Sequence, residues 1–310
     1  MKDIKDYKMI ILGIDQGNGN QKTAHRIIQS GVEPLIGEAI ASKNVLCFKD
    51  KNYVVGESHL TYRGEKTDND DFYFLNLAAI AEELDYRGYT EANIALAVGL
   101  PLAWVKAKQK AYKEYLSREE DLEYTYKGKS YRVHIAKVLV FPQGLAAMAE
   151  IGDTKGDSLL IDIGNGTTDI VRFEGGMPVE KSLVTEEYGV SFCVREIQKE
   201  IARSLGRSVE ERRIEKLLRT GCDGAGEEDA VAGIVRQMAS KYAEEIIRRI
   251  SVAGYDESYM KLFVIGGGGC ILRYFSNLSI PSSKVLICDD IHINAKGYER
   301  FASQMLKAGV

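Results

Sequence analysis

Two short segments carry the residues best suited to chemistry: Leu12-Gly13-Ile14-Asp15-Gln16-Gly17-Asn18-Gly19 and Leu160-Ile161-Asp162-Ile163-Gly164-Asn165-Gly166. Each reads as an apolar strand, an Asp, one further residue, Gly-Asn-Gly and a returning strand. A glycine-rich turn lets backbone N–H groups approach phosphate oxygens closely, because no Cβ intervenes. Two such hairpins facing each other would clamp a polyphosphate from both sides. An Asp beside each turn, Asp15 and Asp162, suits the hydration shell of Mg²⁺, which keeps several waters and takes few carboxylates. Lys22 and Thr23 on the outgoing strand add a charge and a hydroxyl.

One Asn-Gly between apolar runs is an ordinary hairpin signal, with positive φ expected at both turn residues. What points to chemistry is the repetition. Asp15 and Asp162 lie 147 residues apart, close to half the chain, and a carboxylate ending a buried strand needs a cation or donors. Other phosphate motifs fit less well. A P-loop needs Gly directly before Lys-Ser/Thr, whereas Gln21 precedes Lys22-Thr23. The run Gly266–Gly269 follows a strand and opens a helix, but the third glycine position of a dinucleotide fingerprint falls on Ile271.

The elements that position these residues follow from apolar patterning. Strands are expected at Met9–Ile14, Gln21–Ile28, Val45–Phe48, Tyr53–Val55, Ile94–Val98 and Tyr131–Val140 in the first half. Helices are expected there at Phe72–Leu84 and Ala103–Leu116. Pro142 fits the first turn of a helix running through Met148, where its missing N–H costs nothing. In the second half, strands are expected at Ser158–Ile163, Thr168–Phe173, Leu262–Ile265 and Val285–Ile287. Helices are expected at Ser191–Leu205, Val209–Arg219, Glu228–Ala253, from Gly269 through Leu278, and at Ala295–Lys307. The mixture argues an α/β fold. The best boundary is Gly152–Asp157, giving a first domain of 1–155, with the C-terminal helix 295–310 packing back on it, and a second of 156–294.

Bulk composition is ordinary: 310 residues, 45% hydrophobic and 28% charged, enough for roughly two domains. A net charge of −4 leaves no strong footprint for nucleic acid, so any DNA is expected to be carried by an adaptor protein. Cys47, Cys193, Cys222, Cys270 and Cys288 are scattered, as are His25, His59, His134 and His292, which argues against a disulfide framework or a zinc site. The N-terminal apolar run stops at Asp15, too short for a leader or a membrane span, so a cytoplasmic protein without membrane attachment is expected.

Three loops, Asp15–Lys22, Asp162–Asp169 and Val264–Gly269, together resemble the phosphate-one, phosphate-two and adenosine motifs of the actin superfamily. The segments Pro142–Glu150 and Ala295–Met305 resemble its two connecting helices, so the motifs span nearly the whole chain. The resemblance implies a two-lobed ATPase, each lobe a mixed sheet with helices, and the nucleotide in the interlobe cleft. It implies that Asp15 and Asp162 hold Mg²⁺ through water. Phosphates would be held by Gly17, Asn18, Gly19, Asn20 and Lys22, and by Gly164, Asn165, Gly166 and Thr167. It places Gly266, Gly267 and Gly268 on the adenosine. Glu215 and Lys216 lie in a charged helix that reads either as a solvated face, the stronger reading, or as one facing the ribose. Gln143 matches the position that orients the attacking water; a neutral amide aligns water without taking its proton.

Within the superfamily, the compact length, the short region between Lys22 and Asp71, and Asn294-Ala295-Lys296-Gly297-Tyr298 look most like the ParM-like plasmid-segregating actins. That resemblance implies filaments formed with ATP or GTP and destabilised by hydrolysis, and a DNA-binding adaptor on centromere DNA. A small-molecule kinase of the same fold is the alternative. It lacks a clear catalytic carboxylate, since Asp289-Asp290 reads as a solvated loop. A shape-determining or division actin is disfavoured, because Met1–Lys8 is mostly polar.

Overall fold

The structure, a computed structural model, describes residues 3–35, 43–58, 66–152, 155–226, 228–277 and 283–308. His59, Leu278, residues 153–154 of the expected boundary and parts of the stretch between Lys22 and Asp71 lie outside the described residues. The chain divides into two compact units, Met1–Gly152 with His292–Val310, and Asp153–Ile291. Each is a mixed sheet flanked by helices, the α/β architecture expected from the sequence.

Unit 1 contains β1 (Ile10–Gln16), β2 (Asn20–Thr23), β3 (Ile27–Gln29), β4 (Val32–Pro34), β5 (Val45–Phe48), β6 (Lys51–Val55), α1 (Asp71–Tyr86), β7 (Glu91–Leu100), α2 (Val105–Leu116), β8 (Asp121–Tyr126), β9 (Lys129–Pro142) and α3 (Leu145–Ile151). Among the described residues its sheet has nine strands in the order β3-β2-β1-β7-β9-β8-β5-β6-β4, with β1, β7 and β9 parallel at the centre. Those strands are buried on both faces, so they read as continuous apolar runs. Alternate residues feed two cores. Leu12, Ile14, Leu96 and Val98 pack toward α1, while Ala97 and Phe141 line the other face.

Unit 2 contains β10 (Ser158–Ile163), β11 (Thr168–Glu174), β12 (Met177–Pro178), β13 (Val184–Glu186), α4 (Val190–Leu205), α5 (Glu211–Arg219), α6 (Ala230–Val252), β14 (Lys261–Ile265), α7 (Gly269–Phe275) and β15 (Val285–Ile287). Its sheet order is β12-β11-β10-β14-β15, with β13 pairing β11. Both units share one kernel: a buried strand, an antiparallel return, and a parallel neighbour on the other side (β1 with β2 and β7, β10 with β11 and β14).

The chain then returns to unit 1 as α8 (Ile293–Lys307). This helix lies tight against β1 and α3, since a Cβ on Gly13 would stand 2.0 Å from the Ala295 carbonyl oxygen and one on Gly297 2.2 Å from that of Ala146. Buried Ala295, Tyr298 and Ala302 complete the second core face.

Three expectations are corrected. The run Gln21–Ile28 is two strands, because the Thr23 hydroxyl accepts from the His25 and Arg26 amides and turns the chain between β2 and β3. Pro142 is the last residue of β9, not a helical one. It pairs with Leu100 and needs no further ladder donor there. Gly144, at φ 77°, then turns the chain into α3. β4, β8, β12 and β13 were not expected; β8 is polar on every exposed position and gains its place only by pairing with β9 and β5.

Candidate functional site

The two hairpins close in the same way. Gln16 pairs with Gln21 and Ile163 with Thr168. The Gly17 amide donates to the Asn20 carbonyl at 3.1 Å, and the Gly164 amide to that of Thr167 at 2.9 Å. Asn18-Gly19 and Asn165-Gly166 form the tips. None of these Asn or Gly residues takes a positive φ, contrary to the expected turn type. Tertiary partners on the carbonyls override the local preference. Ser30 donates to Gly19 O through its amide (2.9 Å) and to Gly17 O through its hydroxyl (2.7 Å). In unit 2 the amides of Gly189, Val190 and Ser191, where α4 begins, donate to the carbonyls of Gly166, Gly164 and Asn165 at 3.3, 3.0 and 2.9 Å. The hairpins are thus held through their acceptors. No partner among the described residues takes the amides of Asn18, Gly19, Asn165 or Gly166.

Asp15 is 4% exposed and binds two of the expected site residues. Lys22 Nζ lies 3.4 Å from its Oδ2, and Gln143 Nε2 donates to its Oδ1 at 3.0 Å. The register sets Asp15 opposite Lys22. Gln143 is fixed by its own amide on Leu100 O (2.8 Å), and the next amide, that of Gly144, donates to Asn294 Oδ1 at 3.0 Å. Gln143 therefore sits in the strand-to-helix turn rather than in a helix, tied by its neighbour to the start of α8.

In unit 2, Asp162 is 7% exposed and stands opposite Asp169, itself buried and bound by the Thr185 hydroxyl. Two carboxylates facing across a hairpin repel each other unless donors or a cation offset them. Gly266, at φ 85°, passes over this strand end, where a Cβ would stand 2.5 Å from Asp162 Oδ1. At Gly268 a Cβ would stand 2.2 Å from Ile163 Cγ2, whereas at Gly267 it would meet nothing within 4 Å. Packing against β10 thus explains two of the three glycines but not Gly267. Lys216 is exposed on α5, and Glu215 is engaged by Arg219 at 3.1 Å.

Behind the first hairpin lies a charged network that the sequence reading missed. Glu83, fully buried, accepts from the Thr23 hydroxyl (2.5 Å) and Arg87 Nε (2.7 Å) and contacts His25 Nδ1 (2.7 Å). Burial pushes its carboxyl up, but these three partners outweigh burial and hold it below its usual range. Arg87 also reaches Glu299 of α8 at 2.6 Å, and Glu299 takes the Gly13 amide at 3.0 Å. There burial wins, and the Glu299 carboxyl is raised.

A family model of actin-like protein N-terminal domains matches residues 13–145, and one of the C-terminal part of archaeal MreB-like actin homologues matches residues 160–275. The chain belongs to the actin-like proteins. Among solved structures, this actin-like chain is similar to Ta0583, an archaeal actin homologue, at TM-score 0.78 and 21% identity over 96% of this chain and 100% of the other. The ADP complex of Ta0583 superposes at 0.74, with the same identity and coverage. Bacillus thuringiensis ParM with AMPPNP gives 0.71 at 16% identity, covering 97% and 100% of the two chains. The Alp12 filament structure gives 0.70 at 15%, covering 96% and 98%. At such identities the likeness is one of fold. No curated protein matches the chain in sequence.

Among the described residues, no cluster of three or more His, Cys, Asp or Glu makes a metal cage, and no helix is long and apolar enough to cross a membrane. A divalent ion at Asp15 or Asp162 would take most of its oxygens from water and phosphate, as Mg²⁺ does. The Asp162–Asp169 pairing fits that demand for negative charge.

Proposed function

We propose that this actin-like protein is an Mg-dependent ATP hydrolase that forms filaments under nucleotide control and segregates DNA, plasmid DNA first among the candidates. The observation that carries the reading is the pair of identically closed hairpins, each with a buried Asp at its root and tip amides left unused. The hairpins are phosphate loops acting on one nucleotide, ATP or GTP. Lys22 leaves Asp15 to meet phosphate, Gly267 faces the adenosine, and Gln143 turns its amide from Asp15 to the attacking water. Mg²⁺, when bound, would neutralise charge on the phosphates, with Asp15 and Asp162 holding it through water. The binding of ADP by Ta0583 and of AMPPNP by ParM, and the Alp12 filament, support carrying nucleotide binding and assembly over to this chain. A DNA-binding adaptor on centromere DNA would couple the filament to its cargo.

Sedimentation with Mg-ATP, Mg-GTP and Mg-ADP, followed by electron microscopy of the pellets, tests this. Polymer is expected above a critical concentration with a triphosphate, and soluble protein with ADP. A chain that stays monomeric with every nucleotide at high concentration overturns the filament reading and moves the small-molecule kinase ahead.

A further inference from the structure

Directly before the first hairpin lies a buried polar cluster that none of the proposed roles uses. Lys66 is 6% exposed, and its ammonium donates to the Gln16 carbonyl at 2.5 Å. It lies 5.6 Å from the centroid of the Phe72 ring and 5.8 Å from that of Tyr112. The Gln16 side chain, fully buried, accepts from the Tyr112 hydroxyl and donates to Asn76 Oδ1 at 3.1 Å. Burying a lysine is costly, and packing at this point could be met by an apolar side chain. The ammonium instead donates to the peptide group that joins Gln16 to Gly17. An ammonium on that carbonyl polarises the peptide and strengthens its N–H as a donor, and the Gly17 N–H is the donor that closes the hairpin onto Asn20. The same unit charge stands behind the loop in a poorly solvated place, where its field is weakly screened.

We propose that Lys66 is a positioning residue for polyphosphate binding: through the Gln16 carbonyl it locks the first hairpin closed, and its buried charge biases the hairpin toward ligands with more phosphates. This rests on the reading of that hairpin as a phosphate loop. The selectivity belongs to the charge, so it grows with phosphate number, whereas a purely structural lysine would weaken every ligand alike.

The test measures AMPPNP, ADP and adenosine binding with Mg²⁺ by calorimetry on wild type, Lys66→Met, Lys66→Arg and Gln16→Leu, with thermal melts on each. Lys66→Gln, which keeps a donor for the carbonyl, replaces Lys66→Met if the latter fails to fold. Loss of the charge is expected to weaken AMPPNP about tenfold and ADP about threefold while leaving adenosine unchanged, the order expected for a unit charge acting at intermediate dielectric. Lys66→Arg is expected to keep the wild-type ratio of AMPPNP to adenosine affinity. Gln16→Leu, which disturbs the packing but spares the charge, is expected to keep that ratio too. An equal loss for all three ligands, or none, overturns the role of the ammonium. A wild-type protein that binds no nucleotide overturns the phosphate-loop reading itself.

Discussion

Asp15 holds two groups to which the proposed function gives different work, Lys22 on one oxygen and Gln143 on the other. A glutamine that orients water acts in the transition state and leaves ground-state binding almost untouched. Gln143→Ala is expected to bind ATP nearly as wild type and hydrolyse it ~10²-fold more slowly, a loss of roughly 2.7 kcal/mol in transition-state stabilisation. Single-turnover hydrolysis beside equilibrium binding checks this, and equal losses in both would place Gln143 in the binding pocket instead. The glycines proposed for the adenosine face separate in the same manner. Gly267 has open space where a Cβ would go, whereas Gly268 faces Ile163 at 2.2 Å. Gly267→Ala is expected to melt like wild type yet bind nucleotide more weakly. Gly268→Ala is expected to lose roughly 1–3 kcal/mol of stability from overpacking. Thermal melts with and without nucleotide distinguish the two, and a Gly267 variant with unchanged affinity would remove that residue from the adenosine face.

At the scale of elements, α6 shows how a helix start is secured. Asp229 accepts from the Val231 and Ala232 amides at 3.0 and 3.2 Å and pairs with Arg213 at 2.8 Å. Asp229→Ala is expected to cost about 0.5–2 kcal/mol of the stability of unit 2 in denaturant melts. The Ala232 amide, with help from Arg213, holds the Asp229 carboxyl below its ordinary value. Its folded pKa therefore lies beneath its unfolded one of about 3.9. Its contribution is fully present above that unfolded value and fades as pH falls through the folded one. The gap between wild-type and Asp229→Ala melting is expected to be flat above pH ~5 and to shrink in acid below the unfolded value. A gap that does not change with pH would mean that the charge contributes nothing.

At the scale of the whole molecule, the two units are built differently along the chain. Unit 2 is one continuous segment, Asp153–Ile291, with its own core. Unit 1 is incomplete until α8 returns, because Glu299 takes the Gly13 amide and Tyr298 and Ala302 fill one face of its sheet. A fragment spanning 153–291 is expected to unfold cooperatively in circular dichroism. A fragment spanning 1–152 is expected to lack a cooperative transition unless a peptide covering α8 is added. A fragment 1–152 that melts cooperatively alone would show that α8 is dispensable to that core.

The sequence by itself determined the repeat, the class of fold and the order of the main elements. Strand-Asp-x-Gly-Asn-Gly is a local pattern, and apolar periodicity over Ser158–Ile163 or Ala230–Val252 is set by residues near in the chain. Only the tertiary structure decided what lies between those residues and their distant partners. The hairpin tips keep negative φ because Ser30 and the start of α4 take their carbonyls. Pro142 ends a strand because β7 is there to pair with it. Gly266 and Gly268 are glycines because β10 passes beneath them. Gln16 and Lys66 are 50 residues apart and carry no local pattern that would link them. Their meeting costs a desolvated charge and a fixed side chain, and such a cost is recovered only through long-range contacts that no window of sequence contains.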